Sequence, residues 1–227
     1  MANTLFTSRL GGVSSPPFDS FNLASHVGDE VVAVAKNREI LASMIGLPRN
    51  QIFFMTQVHS NGVAVIDKDS DPQSAPTADA LFTTTPGFAL VTLIADCTPL
   101  LLKSKSAVAA VHVGRKGLVA EVFEATLKVF NQHGVSNQEI TGEIGPSICR
   151  DCYEVDLGTY REVVSLNPAA ATDESRRCLD VAGGLAARLK SAGIEFWASQ
   201  LCVRHTPGYF SYRRDEVTGR QAGVVWL

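Results

Sequence analysis

Two apolar runs lie close together near the middle of the chain, and both carry chemistry. "LVTLIADCTPLLL" spans residues 90–102 with Asp96 and Cys97 at its centre, and "AVAAVHV" spans residues 107–113 with His112 beside its end. Neither run alternates apolar with polar residues, so neither reads as a strand with one wet face. Short unbroken runs of small and branched residues read instead as strands covered on both sides. Such strands, over 90–95 and 107–113, demand a sheet in the middle of a layered fold. A carboxylate is costly to bury without a partner, so Asp96 beside Cys97 needs a reason to stand there.

The remaining pattern fills in the layers. Strands are predicted over 4–9, 52–60, 62–67, 139–145, 194–203 and 221–227. Helices are predicted over 30–46, over 118–134 and over 177–193. The first has Asp29 before it and Gly46 at its end, which is cap chemistry. In the second, Leu118, Val122, Phe123, Thr126, Val129 and Phe130 share one face, and Gly134 suits the position just past the end. The third is weakened by Gly183 and Gly184. Residues 10–29 read as a long glycine- and proline-punctuated loop, and residues 67–79 as an exposed polar one. Several neighbouring strands have no helix between them. That argues against a doubly wound parallel sheet and for an α+β fold: one domain over residues 1–227, a layered sandwich with mixed β-sheets flanked by helices.

Bulk properties exclude several classes. A chain of 227 residues can bury a sizeable core without disulfides or metals as staples. A net charge of −3 gives no basic excess for a nucleic-acid partner. No apolar run is long enough to span a membrane, and the N-terminus lacks the features of a secretory signal. The expectation is a soluble cytoplasmic protein. Five cysteines are an odd count at modest density, which fits reduced thiols better than a disulfide framework.

His59, Cys97 and His112 each stand at the end of a predicted strand. Strand ends that face one sheet edge bring distant residues together, and two His with one Cys is a ligand set for catalytic zinc with a fourth position open. The spacing itself is not a local metal signature. Two other readings use the same atoms: Cys97 as a small buried hydrophobe with His112 satisfied by backbone, or Cys97 as a nucleophile with His112 or His59 as its base. Cys149 and Cys152 form a C-x-x-C that is a redox pair, half a zinc site or, the reading favoured here, two incidental thiols, since Cys178 and Cys202 stand alone. Arg9 beside two glycines, Arg115 and Lys116 at a predicted helix start, and Arg213, Arg214 and Arg220 around an acidic turn suit an anionic ligand.

Taken in order, "TSRLGGVS", "FNLASHVGD", "TQVHS", "ADALF", "ADCTPLLL", "AVHVGRKGL", "GPSICRDCYEV" and "SYRRDEVTGRQAGVVWL" resemble the YfiH-type family, once called multicopper polyphenol oxidase or laccase-like and now described as purine nucleoside phosphorylases. The resemblance covers nearly the whole chain. It implies that His59, Cys97 and His112 are zinc ligands at the active centre; Asp96, beside them, is then placed to orient a ligand or a proton, or else to pair with Arg115. It implies small-molecule partners, a nucleoside and phosphate, with Arg9, Asn22, Lys116, Arg213 and Arg214 as candidates to bind them. The implied activities are phosphorolysis of adenosine, inosine and methylthioadenosine, and hydrolytic deamination of adenosine. Copper-dependent phenol oxidation is the older alternative; five histidines in the chain are too few for a multicopper centre. A Cys–His amide hydrolase using Cys97 is the other. The chain departs from the family at His112–Gly117, which reads "HVGRKG" where "HAGWRG" is common. Arg115 replaces a flat aromatic, and Lys116 replaces the planar fork of an arginine. Ser60 stands where glycine is usual.

Overall fold

The run 90–102 breaks at Asp96 into two strands that enter different sheets. In the computed structural model, which describes residues 2–227, the elements in chain order are β1 (Asn3–Phe6), α1 (Val31–Ile45), β2 (Ile52–Phe53), β3 (Val63–Val65), β4 (Ala80–Thr83), β5 (Ala89–Ile94), β6 (Thr98–Lys103), β7 (Val108–Val113), α2 (Arg115–Val119), α3 (Val122–Gln132), β8 (Thr141–Ile144), α4 (Leu157–Leu166), α5 (Val181–Ser191), β9 (Glu195–Ala198), α6 (Tyr212–Asp215) and β10 (Gln221–Trp226). One sheet has the order β1-β10-β5-β2, the other β3-β4-β7-β6-β8-β9. Both are mixed: β2 runs parallel to β5, β3 to β4 and β8 to β9, and the other pairs are antiparallel.

Three apolar layers hold the sheets and helices together. Phe53, Met55, Leu81, Leu90, Leu101, Val108, Ala110 and Val225 fill the space between the two sheets. The outer face of the larger sheet is covered by α2 to α5 through Leu118, Phe123, Phe130, Val163 and Leu185. The outer face of the smaller sheet is covered by α1 through Leu41 and Ile45, packed on Val91 and Val224. The strands β5 and β7 are therefore buried along their whole length, which is why their sequences do not alternate. The result is the expected α+β layered sandwich with mixed sheets and helices on the outside. No helix among the described residues is long and apolar enough to cross a membrane.

Several elements differ from their sequence-based limits. The run 118–134 is two helices, because Glu121 takes a left-handed φ of 64° between them. Gly134, also left-handed at 76°, closes the second as expected. Gly46 closes α1 in the same conformation, but the N-cap of α1 is Glu30, and Asp29 instead binds Ser14, Asn22 and the Glu30 N–H. Strand 52–60 stops after Phe53, and its last residues turn away to carry His59. Gly183 and Gly184 are required by close packing rather than tolerated in a weak helix. A Cβ at Gly183 would lie 2.4 Å from the Asp180 carboxylate that caps α5, and one at Gly184 would lie 3.1 Å from Leu118 and Ala170. The strand β4, the separate strand β6 and the helix α4 were not anticipated.

Candidate metal centre

The corner between β5 and β6 carries Asp96 and Cys97, and it is where the chain passes from one sheet to the other. Asp96 has a φ of 94°, a region that costs a non-glycine residue roughly 1–3 kcal/mol. Its carboxylate offsets this by accepting from Ser211 Oγ at 2.6 Å and from the Arg213 N–H at 2.7 Å, and its carbonyl accepts from the Ile148 N–H at 2.9 Å. The carboxylate of Asp96 thus fixes the segment that leads into α6. Cys97, one residue on, borders the same cavity.

A second corner delivers His59. It too is left-handed, with a φ of 61°, and it is held by Asp79, the fully buried residue just before β4. Asp79 Oδ1 accepts from the His59 N–H at 2.9 Å, and Oδ2 accepts from the N–H groups of Val58 at 3.2 Å and Ser60 at 2.6 Å and from Ser60 Oγ at 2.9 Å. The same Oδ1 lies 2.8 Å from His112 Nδ1 on β7. One carboxylate therefore sets both histidines. Burial raises the Asp79 carboxyl, but the bonds from His112 and Ser60 outweigh it and hold it well below the ordinary carboxylate range.

With Nδ1 on Asp79, His112 presents Nε2 to Cys97. Cys97 Sγ lies 3.8 Å from His59 Nε2, and donor atoms of His59, Cys97 and His112 all lie within 4.8 Å of one another. The two imidazoles meet edge to face with centroids 4.8 Å apart. Donors bound tetrahedrally to one zinc at about 2.3 Å from sulfur and about 2.0 Å from nitrogen stand about 3.5 Å apart, so the arrangement fits such an ion with little movement. Backbone has been cleared for it. A Cβ on Gly114 would sit 2.7 Å from His59 Cδ2 and 3.0 Å from Cys97 Sγ. Burial raises the Cys97 thiol, yet His112 and His59 bring it down to about 6; burial lowers His112, yet Cys97 and Asp79 lift it to about 9. His112 and Cys97 thus favour a charged sulfur beside the imidazole, a site prepared for a cation or for nucleophilic chemistry.

Two recesses meet at this cluster. The larger, about 430 Å³, is walled by Tyr153, Tyr212, Arg213, Arg220 and His26 besides the cluster itself. The smaller, about 170 Å³, is bounded by His59, Cys97, Arg115, Lys116 and Tyr153. Gln57 supports the floor, its amide pairing with both the N–H and the carbonyl of Leu93 at 2.8 Å. Arg213 also donates to the Glu154 carbonyl at 2.8 Å and lies over the Tyr153 ring.

Of the sequence candidates, His59, Cys97, His112, Asp96, Lys116 and Arg213 border these recesses; Arg9, Asn22 and Arg214 do not. Arg9 is bound to Asp19 through Nε and Nη2 and stacked on Phe210. Asn22 is fully buried with its amide filled on both sides, by the Ala24 carbonyl and Asp29 and by the N–H groups of Ala24 and Arg220. Arg214 spends its guanidinium on Asp215 and on the carbonyls of Val203, Arg204 and Tyr209. Five residues of the site escaped sequence reasoning: Asp79, His26, Gln57, Tyr153 and Tyr212. Asp79 left a trace, because a lone acid in "ADALF" just before an apolar stretch raises the same question as Asp96.

Comparison with known proteins shows the family of the chain. Residues 3–227 match the model of a family described as multi-copper polyphenol oxidoreductase laccase. A protein of Streptomyces coelicolor named purine nucleoside phosphorylase is 41% identical over 227 residues, covering 98% of this chain and 94% of that one. One of Corynebacterium glutamicum with the same name is 42% identical over 229 residues, covering 98% and 93%. The crystal structure of the Bacillus licheniformis hypothetical protein YfiH superposes with a TM-score of 0.93 at 26% identity, covering 100% of this chain and 92% of that one.

Proposed function

From the premise that this chain belongs to the YfiH-type family described as multi-copper polyphenol oxidoreductase laccase, we propose that it is a zinc-dependent purine nucleoside phosphorylase. A phosphate oxygen attacks C1′ of the ribose as the bond from C1′ to the purine N9 breaks, and the purine leaves with the electron pair and takes up a proton. Adenosine, inosine and methylthioadenosine are the substrates in this reading, with hydrolytic deamination of adenosine as a side reaction. The observation that carries it is the meeting of two recesses at one His₂Cys cluster, the larger with aromatic walls and the smaller with cationic ones.

Each wall has a task. Tyr153 and Tyr212 offer flat faces to a purine. A cavity of about 430 Å³ lies within the usual range for a small-molecule site. Lys116 and Arg115 flank the smaller recess, and their two positive charges suit an anionic ligand there. Holding phosphate and nucleoside in adjoining recesses supplies the alignment that the displacement needs, and Arg213 and Arg220 oppose charge that develops on the way. His59, Cys97 and His112 would hold the zinc, which when bound would supply Lewis acidity at the junction. Asp79 keeps His112 in the tautomer that leaves Nε2 free for it.

Copper chemistry is disfavoured by the residues present. A multicopper centre needs many more histidines than the five of this chain. A single blue-copper site uses His₂Cys with a long axial methionine or glutamine; no methionine among the described residues lines the cavity, and the amide of Gln57 is spent on Leu93. A second reading does have an observation behind it: Cys97, His112 and Asp79 line up as thiol, imidazole and carboxylate, the order used by cysteine hydrolases. Metal content measured together with activity separates the two. Adenosine is incubated with and without phosphate, before and after chelation, and adenine and inosine are followed. Adenine formed only with phosphate and lost on chelation supports the phosphorylase. A metal-free protein, or a zinc protein inert to every nucleoside, sinks it and favours the hydrolase or another substrate class.

A further inference from the structure

Some way along the sheet from this cluster, a second group of soft donors converges that phosphorolysis does not use. We propose that Cys149, Cys152, Cys202 and His205 form a second, closed metal site that takes zinc and staples the wall of the cavity. Their donor atoms all lie within 4.8 Å of one another. They come from two short turns of matching form, C-x-x-C after β8 and C-x-x-H after β9. In each turn the fourth residue's N–H bonds back to the first residue's carbonyl, Cys152 to Cys149 at 3.0 Å and His205 to Cys202 at 3.2 Å.

The fold places the turns side by side. β8 and β9 are neighbouring parallel strands, so their chains leave the sheet at the same edge. The pairing continues past the strands through a parallel bridge between Ser147 and Cys202, with the Val203 N–H on the Ser147 carbonyl at 3.1 Å. Cys149 N–H donates to Cys202 Sγ at 3.4 Å, and Cys152 Sγ lies 3.0 Å from His205 Nε2. All the cysteines are free thiols, so three thiolates are available. Three thiolates and an imidazole select zinc over magnesium or calcium. Four protein donors leave no open position, which makes the site structural. The sequence hid it because the partner of the C-x-x-C is about fifty residues away and ends in histidine, not in a second cysteine pair.

Its consequence lies in what the turns hold. Tyr153 follows Cys152 directly and walls both recesses. The Glu154 carbonyl receives Arg213, and the carbonyls of Val203 and Arg204, inside the second turn, receive Arg214. An ion joining the turns would lock the arginine-bearing segment against Tyr153.

The test uses the full chain with Cys97→Ser, which weakens the first cluster and leaves the second whole. After dialysis against metal-free buffer this variant is expected to keep one zinc per chain. Reloaded with cobalt(II), it should show strong thiolate-to-cobalt charge-transfer absorption. Adding Cys149→Ser and Cys202→Ser should remove both the zinc and the band. His205 is exposed, so His205→Ala spares the core should the triple variant fail to fold; it should weaken the retained zinc by about tenfold or more. No zinc in Cys97→Ser, no charge-transfer band, zinc unaffected by His205→Ala, or a disulfide between Cys149 and Cys152 or Cys202 in the native protein would each overturn the proposal. None of these readouts involves a nucleoside, so a failure of the phosphorylase reading leaves them untouched.

Discussion

Asp79→Asn keeps the volume of the side chain and removes its charge. The carboxylate accepts five hydrogen bonds, from the N–H groups of Val58, His59 and Ser60, from Ser60 Oγ and from His112 Nδ1. An amide has one oxygen. In its better orientation that oxygen keeps the three bonds now made to Oδ2, and the NH₂ group then faces the His59 N–H and His112. Two bonds to a charged acceptor are lost, at about 1.5–3 kcal/mol each, so the metal-free protein should lose about 3–6 kcal/mol out of a typical 5–15. A second effect follows from the same inversion. An amide that donates to His112 Nδ1 drives the ring proton to Nε2, the atom that faces Cys97, and zinc affinity should fall by about 100-fold or more, at the upper end for a supporting carboxylate. The pH sign is fixed too. The folded carboxyl lies below its ordinary value of 3.8, so its stabilisation is complete above about pH 4 and is lost as pH falls toward the folded value. The variant should lack that part of the acid dependence. Denaturant unfolding of the metal-free protein and competition with a chromophoric chelator measure both quantities. A loss under about 1 kcal/mol together with zinc affinity within about threefold of wild type would refute this account of Asp79.

Four further substitutions separate site from scaffold. Gly114→Ala places a Cβ against His59 and Cys97 while its backbone, at φ −85° and ψ 175°, suits any residue; zinc affinity should drop about tenfold or more with the unfolding midpoint nearly unchanged, as isothermal titration and thermal melts would show. Arg213→Gln and Arg214→Gln are neighbours with opposite expectations: the first, on the wall of the larger recess, should lower kcat with little change in KM for phosphate or in stability, and the second, bound on all sides, should cost about 2 kcal/mol or more of stability and leave kcat nearly unchanged. Initial rates and denaturant melts on the same preparations decide it, and the reverse pattern would exchange the two roles. Lys116→Ala should raise KM for phosphate about tenfold, equivalent to about 1.4 kcal/mol, whereas an unchanged KM would place the phosphate away from the smaller recess.

What could be read from the sequence, and what could not, divides along the reach of each interaction. The strands β5 and β7 were legible because burial on both faces leaves an unbroken apolar run, a local record of a global fact. Gly46 and Gly134 were legible because helix ends need a left-handed residue at one position. The strand β6 went unread after the strand over 90–95 since the sheet change at Asp96 needs no long loop; it is made by three residues, 95–97. Glu121 divides α2 from α3 with no glycine or proline to announce it. The cationic candidates were least legible. Arg9, Arg213 and Arg214 look alike in a sequence, and only the carbonyls and carboxylates around them decide which guanidinium is spent on the scaffold. Asn22 was proposed beside them and turned out to have no free hydrogen-bonding position.

The two acids next to the cluster show why carboxylates stand in such apolar surroundings. His59 and Asp96 both occupy left-handed backbone, at φ 61° and 94°, each a cost of roughly 1–3 kcal/mol for a residue with a side chain. In both places a carboxylate gathers the strained backbone or the segment packed on it: Asp79 takes three consecutive N–H groups around His59, and Asp96 takes Ser211 and the Arg213 N–H. These bonds hold two sharp corners that an apolar side chain would let relax. If either corner opened, its donor would swing away from His112, which is fixed near the end of β7 by the ladder to β6. The interruption of the apolar runs is therefore a mechanical requirement of bringing His59 and Cys97 to a strand that cannot move toward them.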